Sequence, residues 1–287
     1  MECRICPRNC GIDRDQKAGF CGVTNTIKLA RAALHYWEEP IISGEEGSGT
    51  IFFSGCNLKC VFCQNYDVSR GFGKEISIDR FVDIMKELED KGANNINLVT
   101  PTHYVDQIIK ALDIYSPSIP IVYNSSGYES VETLKRLKGY IDVYIPDLKY
   151  SDNELSLKYS KVNNYFEVAT KAILEMRSQV EDKIENGLMK KGLIVRHLVL
   201  PNAIDNTKGV LSWIVNNLSN ETYVSLMGQF VPYGEAKNFK ELQRRIKPLE
   251  YRIAIKILQD NNFNNAFIQE LDSASDTFIP PFELEGV

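Results

Sequence analysis

From Gly49 onward the chain alternates short apolar, β-branched runs with longer segments whose apolar positions recur every three or four residues. The runs are Thr50–Ser54, Asn97–Thr100, Ile119–Asn124, Val143–Leu148, Leu193–Leu200 and Tyr223–Gln229. They lack strict alternation, which is the pattern of strands covered on both faces. Between them, Phe81, Ile84, Met85 and Leu88 stand at i, i+3, i+4 and i+7, and so do Val105, Ile108, Ile109 and Leu112. Each set puts an apolar stripe along one helix face. Phe166, Ala169, Ile173 and Met176 predict a third helix ahead of the fifth run. Strands that alternate with helices long enough to act as crossovers pair in parallel. The pattern therefore predicts an α/β fold, either a doubly wound sheet or a partial TIM-type barrel, and periodicity does not choose between them.

In both architectures the functional residues sit just past the C-terminal ends of the strands. Polar residues collect there: Ser54-Gly55-Cys56, Thr100-Pro101-Thr102-His103, Asn124-Ser125-Ser126-Gly127, Asp147-Leu148-Lys149, Arg196-His197 and Met227-Gly228-Gln229. Helix caps and turns favour some of the same residue types, but their recurrence at six strand ends points to one shared site. The charged stretch Val180–Gly192 reads as an exposed loop or hairpin. The organisation expected is a Cys-rich segment over 1–46, a barrel over 47–260, and an irregular strap over 261–287 that ends Ile279-Pro280-Pro281-Phe282.

Composition adds one unusual feature to this ordinary globular profile. The 287 residues include seven cysteines, and none follows Cys63. An odd number confined to one end does not suit a secreted disulfide framework, so the thiols read as metal ligands in a cytoplasmic protein. A net charge of -5 argues against bulk nucleic-acid binding. No apolar run reaches the ~18 residues of a membrane helix, and the first residues lack a signal-peptide pattern.

Cys56, Cys60 and Cys63 form C-x3-C-x2-C directly after the first predicted strand. Three thiolates so spaced can hold three irons of a 4Fe-4S cluster and leave the fourth open to a ligand. A three-thiolate zinc site completed by a distant histidine is the competing use of the same residues. Cys3, Cys6, Cys10 and Cys21 lie in a Gly- and Pro-containing stretch too short for a core, which argues that a metal organises it. Four thiolates suit zinc and an auxiliary 4Fe-4S cluster alike.

The segment Gly47 to Asn65, with Phe62 before the last cysteine, resembles the radical S-adenosylmethionine (SAM) superfamily and, within it, the pyruvate formate-lyase activating enzyme-like group. The resemblance implies a partial (β/α)6 barrel, a 4Fe-4S cluster on Cys56, Cys60 and Cys63, and SAM bound to the open iron. Relatives bind the SAM amino group with Gly-Gly-Glu at the end of the second strand; here Thr100-Pro101-Thr102-His103 occupies that place. The resemblance places Asn124 and Ser126 near the ribose and methionyl parts, and Asp147 and Lys149 match an Asp-x-Lys of the activating enzymes. It puts Arg196 against the SAM carboxylate, an ion pair with Asp147 being the alternative. His197, Met227, Gln229 and Phe62 complete the candidate cofactor-binding set, while His35 reads as structural.

The expected activity is hydrogen abstraction by a 5'-deoxyadenosyl radical, with a protein or peptide target such as the glycine of a separate glycyl-radical enzyme. A flavodoxin- or ferredoxin-type reductant is the expected electron source. A tailoring enzyme for another peptide or metabolite, an iron–sulfur electron carrier or sensor, and a zinc-stapled binding module are the competing classes.

Overall fold

A computed structural model describes residues 2–271 and 281–287. Its strands are β1 (Lys28–His35), β2 (Ser48–Phe53), β3 (Lys74–Glu75), β4 (Ile96–Val99), β5 (Ile121–Ser125), β6 (Val143–Pro146), β7 (Lys183–Glu185), β8 (Leu188–Leu198), β9 (Tyr223–Met227) and β10 (Ala266–Ile268). They form one sheet in the order β10-β9-β8-β6-β5-β4-β2-β1-β3, with β7 paired to β8. All six expected strands are present as β2, β4, β5, β6, β8 and β9, and they pair with one another in parallel. The sheet curls into an open, partial barrel, the architecture expected.

Four strands lie outside the expected six. β1 runs antiparallel to β2, with a register shift between Leu29 and Arg31. β3 pairs with β1, and β10 adds in parallel to β9. The charged stretch after Val180 is a hairpin of β7 and the start of β8. In the tail, β10 stands where an irregular strap was expected, because Ala266–Ile268 completes the ladder along Val224–Leu226. The stretch 272–280, including Ile279 and Pro280, lies outside the described residues. Beyond it, Phe282 packs edge-on against Phe52, and Glu285 pairs with Arg31 at 2.7 Å.

The helices are α1 (Pro40–Ser43), α2 (Tyr66–Ser69), α3 (Ile78–Asp90), α4 (Val105–Ile114), α5 (Val131–Arg136), α6 (Asn153–Ser160), α7 (Tyr165–Gln179), α8 (Ile204–Asn217) and α9 (Pro248–Asp260). Helix α3 starts where Ser77 accepts the Arg80 N–H at 3.1 Å, and it buries Phe81, Val82, Ile84, Met85 and Leu88. In α7 the buried stripe includes Tyr165, with Phe166 half-buried beside it.

Alternation along the strands separates two packed faces. Leu98, Tyr123, Tyr144 and Val195 join the large core that also contains the apolar faces of the helices. Val122, Val143, Ile145 and Ile194 form a smaller cluster with Met189 and Ile42. Ile42 belongs to α1, so the β1–β2 connection folds back against the inner sheet face. Asn95 and Asn94 hold it there by donating to Ile42 O at 2.8 Å and Ser43 O at 2.6 Å. Among the described residues no helix is long and apolar enough to cross a membrane.

Candidate functional site

A cavity of about 800 Å³ opens past the C-terminal ends of β2, β4, β5, β6, β8 and β9. Cys56, Cys60 and Cys63 line it together with Phe62, Thr100, Asn124, Ser126, Asp147, Lys149, Arg196, Met227 and Gln229. Nine of the twelve expected cofactor-binding residues therefore meet the three cysteines on one surface.

The cysteine loop is fixed by backbone contacts. Gly55 has φ +85°, and a Cβ there would stand 2.7 Å from Cys21 O. Only glycine gives both the left-handed turn and the close approach, which lets the Cys56 N–H donate to Cys21 O at 3.1 Å. Arg8 donates to Asn57 O at 2.8 Å and Lys161 O at 2.9 Å. The first cysteine group is thus docked directly on the loop that carries the second. Burial pushes the Cys56 thiol up to about 12 and Cys63 to about 11, and the neighbouring thiols add repulsion in the same direction. The same causes raise Cys6 to about 12, with Cys10 and Cys21 among its neighbours. Among the described residues, no three His, Cys, Asp or Glu side chains are closed into metal-holding geometry.

Arg196 corrects one sequence-based alternative. Its guanidinium pairs with Glu38 and, at 3.0 Å, with Glu39, while Asp147 pairs with Lys149. Glu38 also accepts from Asn97 Nδ2 at 3.0 Å. Burial works against the Arg196 charge, but Glu38 and Glu39 outweigh it and raise its pKa. For Lys149, Asp147 does the same. His35 at the end of β1 and Tyr36, Trp37, Glu38 and Glu39 of the β1–β2 connection line the cavity, and Ala266–Gln269 line it from the tail. Sequence reasoning missed both groups. The adjacent acids before Pro40, beside Tyr36 and Trp37, were the one available signal.

Thr102, His103 and His197 do not line the cavity. His103 is buried, and its Nε2 faces Ser54 O at 2.7 Å; burial pushes its pKa down to about 3. His197 Nδ1 faces Leu148 O at 2.8 Å and its Nε2 faces Thr207 Oγ1 at 3.0 Å, with the pKa pushed down to about 4 by burial. Both are neutral rings that tie strand ends to adjacent turns. Thr102 opens a 3-10 turn and donates to Glu129 Oε1 at 2.6 Å.

Glu129 is a buried acid whose pKa burial raises to about 7. The native carboxyl keeps a proton that the unfolded chain releases from about pH 4.5 upward, so stability falls as pH rises from there to about 7 and then levels. The span is worth about 3 kcal/mol at ~1.4 kcal/mol per unit. Denaturant titrations between pH 4.5 and 8 should show this slope in the native protein and lose it in Glu129→Gln. Equal slopes in the two proteins would refute the assignment.

Comparison with known proteins follows the same lines. Residues 50–193 match the family described as the Radical SAM superfamily. An uncharacterized protein of Methanocaldococcus jannaschii is 33% identical over 273 residues, covering 91% of this chain and 75% of its own length. The (2S)-3-sulfopropanediol dehydratase activating enzyme of Klebsiella oxytoca is 26% identical over 125 residues, 42% of this chain and 36% of that enzyme. Streptococcus suis SuiB bound to S-adenosylmethionine superposes with a TM-score of 0.53 at 14% identity, over 76% of this chain and 49% of SuiB. The chain thus spans about half of that solved structure, and the likeness is one of fold.

Proposed function

The chain belongs to the radical SAM superfamily, and from that premise we propose that it is an iron–sulfur enzyme that draws a hydrogen atom from a protein or peptide, the glycine of a separate glycyl-radical enzyme being the favoured target. The observation that carries this reading is the convergence of Cys56, Cys60 and Cys63 with polar strand-end residues on one open cavity. A 4Fe-4S cluster and SAM, when bound there, supply the 5'-deoxyadenosyl radical that performs the abstraction.

The donor set fits those groups. Three soft thiols in mutual electrostatic reach, Cys60 buried and Cys56 and Cys63 half-buried, suit iron rather than a hard cation. Ser126 Oγ, buried on the cavity wall without a hydrogen-bond partner among the described residues, suits a polar ligand, since such a group is costly to leave unpaired. Lys149 and Arg196 offer cationic donors to a carboxylate, while Phe62 and Met227 offer apolar surface to a base. At the cavity, half-exposed Tyr36 and Trp37 give a larger target a surface to meet. Cys3, Cys6, Cys10 and Cys21 are assigned a second metal, zinc or iron–sulfur, that shapes the segment docked on the cysteine loop.

A protein target is supported by the partial similarity to the Klebsiella oxytoca activating enzyme. The chain has no Arg-Val-x-Gly-Tyr segment of its own, so the target lies on another molecule. The test is anaerobic reconstitution with iron and sulfide, followed by SAM and dithionite. Release of 5'-deoxyadenosine is the expected result, and a fully loaded protein that releases none would overturn the reading. Deuterated candidate targets would then be ranked by label transfer.

A further inference from the structure

Cys60 has a hydroxyl neighbour of its own. Its Sγ lies 3.0 Å from Ser160 Oγ, and Ser160 Oγ lies 2.8 Å from Tyr150 OH. Ser160 and Tyr150 are fully buried and do not line the cavity, so they touch neither a ligand held there nor a substrate. Ser160 ends α6, and Lys161 behind it adopts the left-handed conformation, φ 57°. Arg8 fixes that turn by donating to Lys161 O at 2.9 Å and Ser160 O at 3.4 Å. Tyr150 is set by an edge-on contact with Tyr165, ring centres 5.2 Å apart.

Chemistry sets the direction of this chain of hydrogen bonds. A thiolate bound to iron can only accept, so Ser160 donates its single proton to the Cys60 sulfur. Ser160 must then accept from Tyr150, and burial, which raises the Tyr150 pKa far above its ordinary value, keeps that phenol protonated. A hydrogen bond to a ligating sulfur withdraws electron density and favours the more negative, reduced cluster; such bonds are among the protein's means of setting cluster potentials.

We propose that Tyr150 and Ser160 are positioning residues that raise the reduction potential of the cluster through Cys60. This rests on the reading of Cys60 as a cluster ligand. The test uses the full chain, reconstituted anaerobically, with iron and sulfide counted and the reduced cluster followed by electron paramagnetic resonance during a redox titration. In Ser160→Ala the reduced-to-oxidised ratio at fixed potential should fall about tenfold, a shift of about 59 mV downward for a one-electron couple. Tyr150→Phe, which keeps the ring, should shift it the same way by less. Iron content should match the native protein in both. If Tyr150→Phe and Ser160→Ala hold iron and titrate at or above the native potential, the inference is overturned. Should Ser160→Ala fail to load, Tyr150→Phe alone decides. A native protein that takes up no cluster would instead overturn the functional reading and this inference with it.

Discussion

Cys60→Ala should reduce 5'-deoxyadenosine release more than about 100-fold, since loss of a supporting contact at a metal site already costs 10–100-fold and this change removes a ligand outright. Two thiols, Cys56 and Cys63, would be left for the cluster. The N-terminal cysteine group should be spared. Cys3, Cys6, Cys10 and Cys21 are built on their own turn, in which the Cys3 N–H donates to Ile12 O at 2.7 Å and the Gly11 N–H donates to Cys3 O at 3.0 Å. Metal analysis of the variant should therefore show loss of the cluster's iron and retention of whatever metal the proposed N-terminal site holds in the native protein. Native rates of SAM cleavage in Cys60→Ala would refute the assignment of the C-x3-C-x2-C thiols, and loss of all metal would show that the two sites depend on each other.

Arg196→Met should destabilise the protein by about 3–5 kcal/mol, the range for removing one partner of a buried ion pair. Glu38 and Glu39 side chains are only 10% and 6% exposed and face one guanidinium. Without it, two largely buried carboxylates stand side by side, and the remaining donors to Glu38 are the amides of Asn97 and Asn124. Adding Glu38→Gln and Glu39→Gln to Arg196→Met should recover much of the loss, because the uncompensated charge is then gone. Denaturant midpoints of the native protein, Arg196→Met, the Glu38→Gln/Glu39→Gln protein and the triple variant close the cycle, and a loss below about 1 kcal/mol for Arg196→Met, the range of an exposed pair, would contradict the structure.

These two expectations differ in how far they could be read from the chain. The spacing of Cys56, Cys60 and Cys63 is local, and a ligand loop after a strand needs no knowledge of the rest. The contacts of Arg196 are not local: Glu38 lies 158 residues away in sequence. The alternative partner, Asp147, is close to Arg196 in the sheet through a bridge between their backbones. It is nevertheless taken by Lys149, two residues along its own strand end. The histidines show the opposite error. Strand-end position marked His103 and His197 as site residues, yet the side chains turn into the wall, where His103 Nε2 meets the Ser54 carbonyl and His197 meets Leu148 O and Thr207 Oγ1. Which side of a strand end a ring faces depends on the turn that follows, and a 3-10 turn at Thr102–Tyr104 rotated His103 out of the cavity.

By itself, the sequence determined the strand–helix alternation, the parallel pairing and the cysteine triad, because each is written in spacing along a short stretch and each follows from steric or ligand chemistry that acts over a few residues. Only the tertiary structure decided that Tyr36–Ser43 folds against the inner face of the sheet, that Ala266–Gln269 walls the same cavity, and that Ser160 reaches the Cys60 sulfur. Those contacts exist because the curled sheet buries its inner face and must fill or pair whatever is placed there, and segments remote in sequence fill it.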